Sequence, residues 1–219
     1  MRKVEIFCTI GPTSLNKKFL KNIKNIVSML RINLSHTPIV ELKKTINFIR
    51  KHTNIPICID TDGRQLRTRS NKRYYFKKKQ KFKLSEKNSK LKIYPPNSIR
   101  FLKIRDTLKF GFSNLEGEII SKKNSCIVVK ATSSGFFETN KGISVNRNLN
   151  TYPLTKKDLI CIKTAQKMKI RNFALSFTNS INDILIFNKL LSKEKKFFKL
   201  ETRSALKNIN SIMKKEKNF

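Results

Sequence analysis

Acidic side chains are scarce in this chain: 14 Asp and Glu stand against 49 Lys and Arg, a net charge of +35 over 219 residues. Tryptophan is absent, and glycine and proline number six each. Alanine is also sparse, whereas Asn, Ile, Phe and Lys abound. The abundant residues have AT-rich codons, and the Lys are spread along the whole chain, so compositional bias accounts for the charge without a special partner. The competing reading is a polyanionic ligand, nucleic acid or an anionic surface. Phe82, Phe101 and Phe110 alternate with Lys, but a strand with one buried face looks the same. Cysteines are few and far apart (Cys8, Cys58, Cys126 and Cys161), with no C-x-x-C spacing. Three of them sit in apolar runs, which argues for buried thiols in a reducing compartment rather than disulfides or zinc. No apolar stretch reaches transmembrane length. The start, Met1-Arg-Lys-Val-Glu5, has no hydrophobic region of the signal-peptide kind. A cytoplasmic protein with no membrane partner is the expectation.

What is present is clustered apolar residue, 38% of the chain, enough for a real core. Val4–Ile10 reads as a strand ending at Gly11-Pro12. Ser14 then suits the cap of a helix over Leu15–Ile26. A strand over Val27–Leu34 follows, then a helix over Pro38–His52 with Val40, Leu42, Ile46 and Ile49 at helical spacing. His52 ends that helix and reads as a C-terminal helix residue rather than a ligand. A third strand spans Ile55–Asp60. This β-α-β-α-β order predicts a parallel sheet or barrel.

From about Asn71 to Ser144 the helical period vanishes. Short alternating segments (Lys79–Leu84, Ser98–Leu102, Thr107–Phe112, Glu116–Ser121 and Ser125–Ala131) predict a small antiparallel β-barrel. Helical pattern returns with Thr155 as cap, Asp158 in the first turn and Leu159–Lys169 as helix. A strand over Asn172–Phe177, a helix over Asn179–Leu191, a strand over Phe197–Glu201, a helix over Ser204–Met213 and a polar tail complete the chain. The expected fold is therefore α/β, a partial TIM-type barrel of about five β/α units with an inserted all-β barrel. Its parts are residues 1–70 (units 1–3), 71–145 (the insert) and 146–219 (units 4–5).

Two segments stand out. Arg31-Ile-Asn33-Leu-Ser35-His36 and Asp60-Thr61-Asp62-Gly63, with Arg67 close behind, each follow a buried-looking strand. They place oxygen ligands and fixed cations where a strand opens into a loop, the place where β/α enzymes hold phosphates and cations.

These residues resemble the pyruvate kinase family. The family's C-T-I-G-P-x-S appears as Cys8–Ser14, its R-x-N-x-S-H-G as Arg31–His36 with Thr37 last, and its D-T-K-G-P-E-I-R-T as Asp60–Thr68. Lys141-Gly142 resembles K-K-G, Ser176-Phe177 with Asp183 resembles S-F-x-x-x-x-x-D, and Lys199–Glu201 resembles K-I-E. The matches are collinear over nearly the whole chain.

The resemblance implies phosphoryl transfer between phosphoenolpyruvate and ADP, giving pyruvate and ATP. Arg31 would hold the phosphoryl group and Lys199 would stabilise the transferring charge. His36 and Arg67 would lie near the nucleotide, Lys141 near the exit of the insert and Ser176 at the phosphate region. Asn33, Ser35, Asp60 and Thr61 would bind K⁺, and Glu201 would bind Mg²⁺ or Mn²⁺. Without the other motifs, Arg31 and His36 could cap a sheet edge, Ser176 could be a turn hydroxyl, and Lys199 and Glu201 could be a surface pair on one face of a strand.

The departures are as specific. K-G-P-E becomes Asp62-Gly63-Arg64-Gln65, the insert has no D-D-G near Phe112–Glu116, and V-N-L-P-G is replaced by Ile143–Arg147. The family's G-D segment with a second acidic metal ligand, its later threonine linked to enolate protonation and its C-terminal domain find no match after Met213. These departures raise the expectation of an impaired paralogue that binds a phosphorylated metabolite or nucleotide, and of a homo-oligomer or partner chain covering an open barrel. A nucleic-acid or anionic-surface role ranks behind both.

Overall fold

The computed structural model describes residues 4–87 and 89–215. The chain opens with β1 (Phe7–Ile10), α1 (Lys17–Asn22), β2 (Met29–Asn33), α2 (Ile39–His52) and β3 (Ile57–Asp60). Nine short strands follow: β4 (Leu66–Ser70), β5 (Tyr74–Phe76), β6 (Lys81–Ser85), β7 (Leu91–Tyr94), β8 (Thr107–Phe110), β9 (Glu116–Lys123), β10 (Cys126–Ala131), β11 (Gly135–Phe137) and β12 (Gly142–Val145). Then come α3 (Lys156–Lys167), β13 (Asn172–Leu175), α4 (Ile181–Leu190), β14 (Lys195–Phe198), α5 (Arg203–Lys207) and α6 (Ile209–Lys215). The contacts divide them into two compact units, one of residues up to Arg64 with those from Pro153, the other Gln65–Tyr152.

The first unit is a five-stranded parallel sheet in the order β1-β2-β3-β13-β14. Alternation assigns its two faces. Leu30, Ile32, Ile57, Ile59, Phe173, Leu175 and Phe198 point to the helices. There they meet Leu42, Ile46 and Ile49, which lie on one stripe of α2, and Cys161, Ile162 and Ala165 of α3. Met29, Cys58 and Ala174 turn the other way, with Phe197 against them. The Phe7 and Phe197 rings meet edge to face at 5.1 Å although they belong to the sheet's two outer strands. The sheet is therefore coiled enough to bring its edges together across the helix-free face.

Several elements differ from their sequence pattern. The first helix is capped by Asn16, whose side chain accepts from the Phe19 amide at 2.9 Å, while the Ser14 hydroxyl takes the Gly11 amide. It stops at Asn22 because only Leu20 is fully buried, and Ile26, 63% exposed, offers no face to extend it. The final helix is two, α5 and α6, broken at Asn208, whose side chain donates to the Asn179 carbonyl at 2.8 Å. The last strand ends at Phe198, so Lys199 and Glu201 lie in the loop after β14 rather than on its face. Lys214 and Lys215, read as tail, end α6, and residues 216–219 of that tail lie outside the described residues. His52 ends α2 as its position suggests, with Nδ1 2.8 Å from the Phe48 carbonyl.

The second unit is a closed seven-stranded barrel, β10-β6-β7-β4-β12-β8-β9, with β5 and β11 paired beside it. Its core is aromatic: Phe76 stacks on Phe82 at 4.3 Å, and Phe110 contacts Phe82 and Phe137 at 5.9 and 5.5 Å. Ser98–Leu102 is not a strand. Ile99–Phe101 forms one 3-10 turn after Pro95-Pro96, fixed by the Ile99 amide donating to Glu86 at 2.7 Å. The unit also takes in β4, which pairs with β7 and β12. The five strands with no counterpart in the sequence pattern have at most five residues each, too few for alternation to stand out.

A Cβ at Gly135 would stand 2.4 Å from the Ser113 carbonyl oxygen and 2.5 Å from the Leu115 amide, whereas at Gly11 nothing lies within 4 Å. Gly135→Ala should therefore lower unfolding free energy by ~1–3 kcal/mol through overpacking. Gly11→Ala should change it by less than about 0.5 kcal/mol. Urea denaturation of the two variants beside the parent checks the contrast.

Candidate functional site

Strand register brings the sequence-predicted residues of the first unit to the carboxyl ends of its parallel strands. Asn33 on β2 stands opposite Asp60 on β3, and Asp60 opposite Ala174 on β13. The chain then turns outward at Ser35, Thr61 and Ser176. Asp60 is fully buried. A buried carboxylate is costly unless paired and hydrogen-bonded, and Asp60 has partners on three sides. Arg31 donates through Nε at 2.6 Å and also through Nη2 to Oδ2. Lys199 Nζ reaches the same oxygen at 3.0 Å, and the Ser176 hydroxyl donates to Oδ1 at 3.0 Å. Arg31 is fixed further by Nη1 donating to Thr9 at 2.8 Å.

Both cations remain partly open: the Arg31 and Lys199 side chains are each 28% exposed. Arg31 spends Nε and Nη2 on Asp60 and Nη1 on Thr9, and Lys199 lies between Asp60 and Glu201, so an incoming anion shares or exchanges these contacts. Glu201 stands at the rim, accepting the Phe177 amide at 3.0 Å, with its other oxygen 3.5 Å from Lys199. The arrangement can receive an anion between two positioned cations while Asp60 holds them in place.

The loop after β3 is fastened by groups on both following helices. Ser176 donates its amide to Thr61 Oγ1 at 2.9 Å, and its hydroxyl oxygen also lies 2.6 Å from the Thr61 carbonyl, so its one proton is shared between that carbonyl and Asp60. Gly63 sits at φ +72°, and a Cβ there would come within 3.1 Å of Ser176. That close approach needs glycine. The amides of Asp62 and Gly63 donate to Asp158 at 2.7 and 3.1 Å. Asp158 also completes the capping box of α3 with Thr155. Arg64 pairs with Asp183, which caps α4 in the same way. The Asp62 carboxylate accepts from Ser35 at 2.9 Å. Sequence reasoning marked Asp158 only as a helix-start residue, and T-x-x-D carries no sign of its second duty.

His36 ends the β2–α2 loop exposed, its amide bonded to Asn33. Arg67 and Lys141 belong to the second unit, where Gly142 stands opposite Arg67 in the β4–β12 ladder. The Arg67 guanidinium is 3.4 Å from the Asn140 carbonyl, and the Lys141 ammonium is 3.7 Å from Glu138.

Asn33, Ser35, Asp60 and Thr61 supply an amide oxygen, two hydroxyls and one carboxylate, a donor set that suits a large monovalent cation. A divalent ion fits less well. Among the described residues no group of three or more His, Cys, Asp and Glu is placed to hold a metal. Glu201, the acid the resemblance assigns to it, accepts the Phe177 amide through one oxygen and keeps the other 3.5 Å from Lys199.

The family model for the pyruvate kinase barrel domain matches residues 1–219. The chain belongs to the pyruvate kinase family. It is 28% identical to the pyruvate kinase of Staphylococcus epidermidis, over 97% of this chain and 40% of that protein. It is 27% identical to the Staphylococcus saprophyticus enzyme and 25% to that of Staphylococcus aureus, again over 97% of the chain. The chain thus spans about 40% of the length of the curated relatives it matches. Against the pyruvate kinase pattern K-G-P-E, the substituted residues are engaged: Asp62 with Ser35 and Arg64 with Asp183.

Burial raises the Asp158 carboxyl above its ordinary value of 3.8, against the pull of the Thr155 and Asp62 hydrogen bonds. Between 3.8 and the raised value the folded state holds the proton more tightly than the unfolded chain. This group therefore makes stability fall as pH rises through that window. Asp158→Asn should remove that slope, seen as a pH-dependent difference in urea-unfolding free energy between variant and parent. Burial also lifts the thiols, Cys58 to about 12 and Cys161 to about 11. A thiol reagent at about pH 8 should modify partly exposed Cys8 and Cys126 in the native protein, and Cys58 and Cys161 only on unfolding.

Proposed function

We propose that the chain binds phosphoenolpyruvate at Arg31 and Lys199 and takes part in phosphoryl transfer between it and ADP. The observation that carries this reading is the buried Asp60 carboxylate holding both cations and Ser176 at the carboxyl ends of parallel strands. Such transfer needs positioning and charge neutralisation rather than covalent chemistry. Arg31 orients the phosphoryl group through its partly exposed guanidinium, exchanging the Thr9 contact for a phosphoryl oxygen. Lys199 stabilises charge on the phosphoryl oxygens and on the enolate left behind. Ser176 lies beside the phosphate region. By the resemblance His36 in the first unit and Arg67 in the second would each lie near the nucleotide, and Lys141 near the exit of the insert.

Asn33, Ser35, Asp60 and Thr61 would hold K⁺, which adds positive charge next to the transferring group. Glu201 would hold Mg²⁺ or Mn²⁺, which would neutralise phosphoryl charge when bound. We further infer that the five parallel strands are part of a TIM-type barrel, with residues 71–145 the core of the insert, and that a second copy or a partner chain covers the open side. The setting is cytoplasmic. Among the described residues no group of three or more His, Cys, Asp and Glu surrounds Glu201, which favours one second reading, a catalytically impaired member that binds the same phosphorylated ligands in a regulatory role.

Pyruvate release by the chain with Mg²⁺ and K⁺ present, coupled to a dehydrogenase, separates the two. Catalysis predicts turnover that Lys199→Met lowers by at least about 100-fold. The regulatory reading predicts no turnover but calorimetric binding of phosphoenolpyruvate that Arg31→Ala abolishes. Heat from neither phosphoenolpyruvate nor ADP, with no turnover, would sink both.

A further inference from the structure

The basic surplus is not evenly placed on the small barrel. Strands β4, β6 and β7 contain no acidic residue. Their outward positions carry Arg67, Arg69, Lys81, Lys83 and Lys92. From Gln65 to Arg105 the one carboxylate in the sequence is Glu86, and it is spent on the Ile99 amide. The acids Glu116 and Glu118 lie on β9, where Glu116 pairs with Lys109 at 3.3 Å.

The ladder itself shows a cost. Arg69 stands directly opposite Lys92 in the β4–β7 pairing, and Lys81 opposite Lys130 in the β6–β10 pairing. Like charges directly opposite one another destabilise a sheet. Among the described residues Lys81, Lys92 and Lys130 have no ion-pair partner. A bound polyanion would relieve this repulsion and stabilise the fold by linkage.

The face also has a groove and rings. Arg69, Ser70, Asn71, Lys90, Lys92 and Thr139 line a cavity of about 540 Å³, offering cations, hydroxyls and an amide. The Arg69 guanidinium lies over the Tyr94 ring at 4.9 Å. The Tyr74 hydroxyl donates to Asn71 at 2.7 Å, while its ring packs against the barrel core. Tyr75, 52% exposed, leans on Phe136 at 4.9 Å. Cations in a row with aromatic rings between them are the requirements for binding a phosphodiester chain and stacking its bases.

We propose that the outer face of β4, β6 and β7 binds single-stranded nucleic acid. Phosphates lie along Arg69, Lys92 and Lys81, and unpaired bases stack on Tyr94 and the Arg69 guanidinium over it. A single strand fits because bases can reach the rings only when unpaired.

The test uses the full chain and a labelled RNA strand of roughly 16 nucleotides at about 150 mM salt. Binding should weaken steeply with salt, and the RNA should raise the unfolding temperature. Lys92→Glu should weaken binding about tenfold and lower the salt slope by about one. The same change gives Arg69 an opposite charge, so native stability should hold or rise, which separates lost binding from misfolding. Lys43→Glu, an equal charge change on exposed α2, should leave affinity nearly unchanged. The proposal is overturned if Lys43→Glu weakens binding as much as Lys92→Glu. It is also overturned if duplex RNA of the same sequence or anionic phospholipid vesicles bind as tightly, or if no binding survives at that salt.

Discussion

Everything at the first unit's strand ends depends on one desolvated carboxylate. Asp60 lies beneath the surface with no water to share its charge, so its stability rests on Arg31, Lys199 and Ser176. Those three residues come from β2, from the loop after β14 and from the loop after β13. A single charge thereby ties together four of the five parallel strands. The dependence runs both ways: two cations this close repel one another, and the carboxylate between them lets both point in one direction. The half-open cations above it are thus a consequence of the sheet's own electrostatics, not an ornament on its rim.

The same economy governs the loop that follows β3. Helices α3 and α4 each begin with an acid that closes a capping box. In each case that acid also binds the Asp62–Arg64 segment, Asp158 through two amides and Asp183 through Arg64. Helix start and loop position therefore cannot be separated energetically. This coupling explains how the segment tolerates losing the proline of the family pattern. A proline would stiffen the loop by restricting its backbone, whereas here side-chain charge from two helices fixes it.

Much of this was legible in the sequence, and the failures have physical causes. Collinear motifs pointed to Arg31, Asp60, Ser176 and Lys199, and the structure gathers the other three around the Asp60 carboxylate. The β/α rhythm announced the parallel sheet because its helix-facing residues alternate within long apolar runs. Strands such as β5 and β11, three residues each, leave no periodic trace. The placement of Lys199 and Glu201 beyond β14 was missed because alternation continues past the point where the ladder ends. The roles of Asp158 and Arg64 were hidden for another reason: their partners lie about a hundred residues away, and only the fold brings them within reach.

Charge behaves differently in the two units, although both share one composition. In the first, the cations at the strand ends are matched: Arg31 and Lys199 with Asp60, Arg64 with Asp183. On the small barrel, β4, β6 and β7 carry cations with no acid on their own strands, and two like-charged pairs face each other across the ladder. A biased genome explains how many lysines there are, but it acts on every segment alike. The first unit has an equally acid-poor run, with Glu41 the one carboxylate from Ile6 to Ile59, so what sets the small barrel apart is that like charges stand opposite one another in its ladder. Placement, not number, is the part of the +35 that calls for a physical cause.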